Sequence, residues 1–107
     1  MNFTITYNLF SSNKFKHDDA KSASNTNEAI QLLDSLQIED DDIYIFIEDI
    51  SSRVHVHLEE GLFFFQLHMT NGMYEVLTDK GTITKLLKNL ESVTNSPLSF
   101  GLNAVSL

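Results

Sequence analysis

Three histidines have the residue type and spacing best suited to chemistry. His55 and His57 form a His-x-His pair, and His68 follows a little further on in a similar apolar–polar alternation. Residues two apart on a strand share a face, so both imidazoles of the pair point the same way. Three imidazoles gathered on one sheet face can hold zinc and leave one coordination position open. Against that, no carboxylate is placed to orient all three rings from behind. The competing expectation is a water-facing sheet surface with ordinary cross-strand polar pairs. Other catalytic signatures are lacking: there is no cysteine, no Gly-x-Ser-x-Gly and no glycine-rich phosphate loop, and the four glycines fit turns. The residues therefore predict a binding protein without a cofactor rather than an enzyme.

The stretch Arg53–Thr78, RVHVHLEEGLFFFQLHMTNGMYEVLT, must position these rings. Asn71-Gly72 between alternating apolar runs is a strong signal for a hairpin with a type I′ turn. It predicts Met69 opposite Tyr74, Leu67 opposite Val76 and His68 opposite Glu75. Glu60-Gly61 as a second two-residue loop predicts Leu58 opposite Phe63, Val56 opposite Phe65 and Val54 opposite Leu67. The two registers agree on the faces. Val54, Val56, Leu58, Phe63, Phe65, Leu67, Met69, Tyr74 and Val76 fall on an oily side. Arg53, His55, His57, Glu59, Phe64, Gln66, His68, Glu75 and Leu77 fall on a wet side. A slip of one residue would turn the apolar set into water, so the faces are well determined. Across the strands His68 lies diagonal to His55, roughly 7 Å away.

The rest of the chain supplies a frame. Residues 2–9 alternate as a half-buried strand, with Phe3, Ile5, Tyr7 and Leu9 inward. From 10 to 24 the pattern dissolves into a polar stretch, expected to be a mobile loop. Asn25 and Glu28 resemble a capping box, with Thr26 or Asn27 as alternative caps, opening a helix to about Gln37. Glu39 and Asp40–Asp42 form an acidic run, expected as an exposed loop suited to docking a basic partner; its spacing does not fit a calcium loop. Residues 43–49 are apolar at both alternations, which predicts a central strand covered on both sides. Asp79 or Thr82 caps a helix carrying Ile83, Leu86, Leu87, Leu90 and Val93 on one face, ending near Thr94 before Pro97. The last ten residues form either an edge strand or a tail along the sheet. The order β-α-β-β-β-β-α predicts a two-layer α+β fold: a mainly antiparallel sheet with two helices on one face.

Composition narrows the partners. A chain of 107 residues is expected to form a single domain, 1–107, and to bury roughly 65% of its unfolded surface. The formal charge of −8 argues against nucleic acid and anionic membranes. It suits a basic protein partner steered by charge, although acidity also serves simply to keep small proteins dispersed. The amino-terminal segment lacks the basic and apolar regions of a signal peptide, and no apolar run reaches membrane-spanning length. A cytoplasmic protein is expected. On the wet sheet face, Leu62, Phe64 and Leu77 lie among Arg53, His55, His57, Gln66, His68 and Glu75. An apolar centre rimmed by ionisable groups has the make-up of a protein-binding patch, unless the carboxyl-terminal tail covers it.

The segment NEAIQLLDSLQIEDDDIYIFIED followed by VHVHLEEGLFFFQL resembles bacterial immunity proteins, the inhibitors of contact-dependent and polymorphic toxins. The likeness runs from about Asn27 to Leu90 and is one of pattern, so no functional residue is carried across. It implies a cytosolic inhibitor that blocks one toxin domain, often a nuclease with a basic cleft. Asp40, Asp41 and Asp42 with Glu59 and Glu60 would then stand in for phosphates. Two other functions fit the residues: a phage-encoded inhibitor of a host defence nuclease, and a small metal-binding domain using His55, His57 and His68.

Overall fold

Both hairpins within residues 53–78 are present in the computed structural model, which describes residues 1–17 and 20–106. The first bend is the expected one. Glu60 and Gly61 both take positive φ (51° and 83°), and Leu58, Val56 and Val54 face Phe63, Phe65 and Leu67. Glycine tolerates this geometry without cost; Glu60 is one of the few side chains here that takes it up. The second bend is shifted. Thr70-Asn71 forms the loop, so Met69 pairs with Gly72, Leu67 with Tyr74, and Gln66 rather than His68 with Glu75. The pairing moves by two residues, an even step that leaves every side chain on its expected face. Asn71 does not take positive φ, so the type I′ turn predicted from Asn-Gly is not formed.

Among the described residues the fold is α+β: an eight-stranded antiparallel sheet with three α-helices. The strands are β1 (Phe3–Leu9), β2 (Lys14–Lys16), β3 (Ser22–Ala23), β4 (Asp42–Ile47), β5 (Ser52–Glu59), β6 (Leu62–Met69), β7 (Gly72–Thr78) and β8 (Asn103–Ala104). They lie in the order β2-β1-β4-β5-β6-β7-β8, with β3 also on β1. The stretch 10–24, expected as a mobile loop, instead supplies two short edge strands: Lys14–Lys16 pairs with Tyr7–Leu9, and Ser22–Ala23 pairs with Phe3–Thr4. Asp18 and Asp19 of that stretch lie outside the described residues. Backbone pairing overrides the lack of apolar period here, because β1 offers a free row of N–H and C=O groups.

One core fills the space between sheet and helices. Phe3, Ile5, Ile43, Ile45, Ile47, Val54, Val56, Phe65 and Leu67 form its sheet side. Ala29, Leu33, Ile83, Leu86, Leu87, Leu90 and Val93 form its helix side. The first helix, α1 (Asn27–Leu32), is shorter than expected and tightens into a 3₁₀ turn over Leu33–Ser35. Thr26 precedes it but makes no cap; its hydroxyl donates instead to the Leu87 carbonyl at 2.7 Å, tying α1 to the second helix. The long carboxyl-terminal helix is two helices, α2 (Lys80–Lys88) and α3 (Leu90–Asn95), broken at Asn89. Asp79 caps α2 by accepting from the Thr82 amide at 2.7 Å. After Pro97–Phe100, β8 joins the edge of β7 through Tyr74–Ala104 and Glu75–Asn103. The tail therefore extends the sheet. No helix is long and apolar enough to cross a membrane among the described residues.

A candidate binding face on the uncovered side of the sheet

The registers align the second sheet face into three cross-strand rows. One runs Asn8–Asp42–His57–Phe64–Leu77, the next Thr6–Tyr44–His55–Gln66–Glu75, the third Thr4–Phe46–Arg53–His68–Met73. The helices pack on the opposite side. β4 was expected to be covered on both sides, but only its isoleucine side is. Tyr44 and Phe46 stand 37% and 45% exposed. β4 is interior to the sheet in hydrogen bonding, yet only one of its faces is core.

Exposing Tyr44 makes a row of rings. Tyr44 stacks on His55 with centroids 4.3 Å apart and planes 7° from parallel. His55 meets His57 at 5.1 Å, and His57 meets Phe64 at 5.2 Å, both tilted. Leu62 and Leu77 lie exposed beside Phe64, so the apolar centre expected from sequence is present and larger than expected. At the β2 corner, Phe15 faces the same way as Asn8 and packs edge-on against Phe10 at 5.2 Å.

Each imidazole is held by an acceptor. His55 Nε2 lies 3.3 Å from Asp42 Oδ2. His57 Nδ1 lies 2.9 Å from the Leu58 carbonyl oxygen. His68 Nε2 lies 3.2 Å from Gln66 Oε1, and the Gln66 amide donates onward to Glu75 at 3.1 Å. A carboxylate or carbonyl oxygen can only accept, so the ring nitrogen must donate. Burial pulls the His55 pKa below its ordinary 6.5, and the Asp42 carboxylate offsets only part of this. Burial and then the Arg53 charge lower that of His68. Both environments favour the neutral ring. Burial, and next the Asp42 charge, raise the Tyr44 hydroxyl.

The expected residues divide cleanly. Arg53, His55, His57, Glu59, Phe64, Gln66, His68 and Glu75 all lie on the uncovered face, and Glu60 projects from the adjoining turn. Asp42 joins them through Asn8, whose amide donates to it at 2.9 Å. Since Asp42 opens β4 and Glu59 closes β5 alongside it, the two acidic runs meet at one end of the sheet. Asp40 stays in the exposed loop. Asp41 does not belong to the site. It is fully buried, and accepts from the Ser11 amide (3.0 Å), the Ser11 hydroxyl and the Gln37 and Ile38 amides (2.9 and 3.3 Å). Burial raises its pKa, but these donors outweigh burial and hold it below the ordinary value. Its charge locks the Ser11 turn to the loop after α1, and a partner has no access to it.

No three histidine, aspartate or glutamate side chains converge to hold a metal ion among the described residues. His55 and His57 present rings to each other, and each imidazole already spends one nitrogen on an internal acceptor. Sequence reasoning missed Tyr44 and Phe46 because Ile-Tyr-Ile-Phe-Ile is apolar at every position. The signal lay in the neighbouring strand: Thr4 and Thr6, plainly polar, pair with Phe46 and Tyr44. Neither a known protein family, a curated protein nor a solved structure matches the chain.

Proposed function

We propose that this chain is a cytoplasmic binding protein that docks a basic protein on its uncovered sheet face, in the manner of an immunity protein neutralising a toxin domain. The observation that supports this most directly is the union, on one uncovered face, of exposed rings and aliphatics with an acidic rim. Tyr44, Phe46, Leu62, Phe64 and Leu77 supply apolar area, and Asp42, Glu59 and Glu75 outnumber Arg53. Apolar centres with polar rims are how stable protein interfaces are built. A net charge of −8 makes pairing between two copies of this chain unfavourable and attraction of a cationic partner favourable. A nuclease domain with a basic cleft has the required charge, and so does the target of a phage-encoded inhibitor.

The test is affinity capture followed by mass spectrometry, with wild type run beside Phe64→Ala and Glu59→Lys. The proposal expects a basic protein that is captured by wild type and lost from both variants, and whose association slows as salt rises. Capture that is indifferent to both substitutions and to salt contradicts it.

A further inference from the structure

We infer that the uncovered face recognises arginine side chains of its partner, in preference to lysine. This rests on the docking proposal above and specifies its chemistry. Each of the three imidazoles donates one N–H inward: His55 to Asp42, His57 to the Leu58 carbonyl and His68 to Gln66. A neutral imidazole has one donor and one acceptor nitrogen. In the two rings whose burial disfavours protonation, the acceptors left over are Nδ1 of His55 and Nδ1 of His68. With the carboxylates of Asp42, Glu59 and Glu75 on the same face, the polar groups offered to a partner are predominantly acceptors. They surround rings whose π faces attract cations: the Tyr44–His55–His57–Phe64 row and the exposed Phe46.

A guanidinium answers both features. It carries five N–H donors in a plane, accepts nothing, and is hydrated weakly enough to lie flat on an aromatic ring. An ammonium gives a compact, strongly hydrated charge that matches the acidic rim but gains less from rings. The acidic rim alone attracts either side chain; rings and lone pairs together select arginine. The bases of a single-stranded nucleic acid also stack on sheet aromatics, but the carboxylates among these rings oppose a phosphate backbone.

The test titrates the ¹⁵N-labelled protein with hexa-arginine, hexa-lysine and an oligothymidylate at pH 7.5 and pH 5, reading backbone and ring resonances. The inference expects hexa-arginine to bind on the order of five- to tenfold more tightly than hexa-lysine. It expects the largest shifts at Tyr44, His55, His57 and Phe64. The preference should vanish in Tyr44→Leu/Phe64→Leu, which keeps apolar volume but removes two rings, and weaken on acidification as His55 and His68, both lowered from 6.5, begin to take protons. Equal binding of both peptides on this face overturns the arginine inference and leaves the docking face standing. Shifts confined to other surfaces overturn both. An oligothymidylate that moves these rings more than hexa-arginine also overturns the inference.

Discussion

The two sides of strands β4–β6 are built from alternate residues of the same three strands, and they meet opposite surroundings. On the helix side Ile43, Ile45, Ile47, Val54, Val56, Phe65 and Leu67 are fully buried. On the other side Asp42, Tyr44, Phe46, Arg53, His55, His57, Phe64, Gln66 and His68 meet solvent to varying degrees. Phe64 and Phe65 show the contrast most simply. They are the same residue type one position apart, but one is sealed under helices and the other caps a row of rings. Strand periodicity alone assigns one side to the core and leaves the other open for the recognition proposed above.

Substitutions that separate those roles sharpen the comparison. The largest effect should come from Phe65→Ala, which empties a fully buried site and is expected to cost about 3–5 kcal/mol in chemical denaturation. Phe64→Ala should cost about 1 kcal/mol or less while weakening partner binding. Similar losses of stability in the two variants would erase the distinction between the faces. Next comes Asp41→Ala, which strands the Ser11, Gln37 and Ile38 donors and should cost about 2–3 kcal/mol. Capping is a smaller matter: Asp79→Ala removes the α2 cap and should lower stability by less than Asp41→Ala does.

Acid should act on the two regions in separate windows. Because the folded pKa values of His55 and His68 are lowered, the unfolded chain takes up protons first as pH falls below about 6.5. Their contribution to stability is complete above that pH and declines below it. Asp41 is also lowered, from 3.8, so its stabilisation holds above that value and is lost as pH falls through the folded pKa. Stability measured against pH should show two declines. His55→Gln/His68→Gln should flatten the first and Asp41→Asn the second. A single decline unaffected by the histidine substitutions would contradict the environments assigned to those rings.

Where a strand alternates plainly between oily and polar residues, the sequence disclosed its faces. Residues 53–78 did so, even though Asn71-Gly72 pointed to the wrong bend, because a two-residue shift preserves every face. The acidic run was legible as composition but not as structure. Asp40, Asp41 and Asp42 are chemically identical, and only the tertiary position of Ser11 makes the middle one a buried clamp. Tyr44 and Phe46 were hidden for a related reason: an aromatic ring suits both a core and a binding face, and hydropathy does not tell them apart. The short strands at 14–16 and 22–23 arise from the pairing needs of β1, which residues 10–24 alone do not display.

The proposed landing of a basic partner on the uncovered face, rather than on the helices, decides the rest. It is tested most directly by association kinetics of the captured partner with Glu59→Lys and Glu91→Lys. Both substitutions change net charge equally, but Glu59 rims the uncovered face and Glu91 is exposed on α3. Glu59→Lys should associate clearly more slowly, and Glu91→Lys at a rate close to wild type. Equal slowing in both, or slowing only in Glu91→Lys, would contradict it.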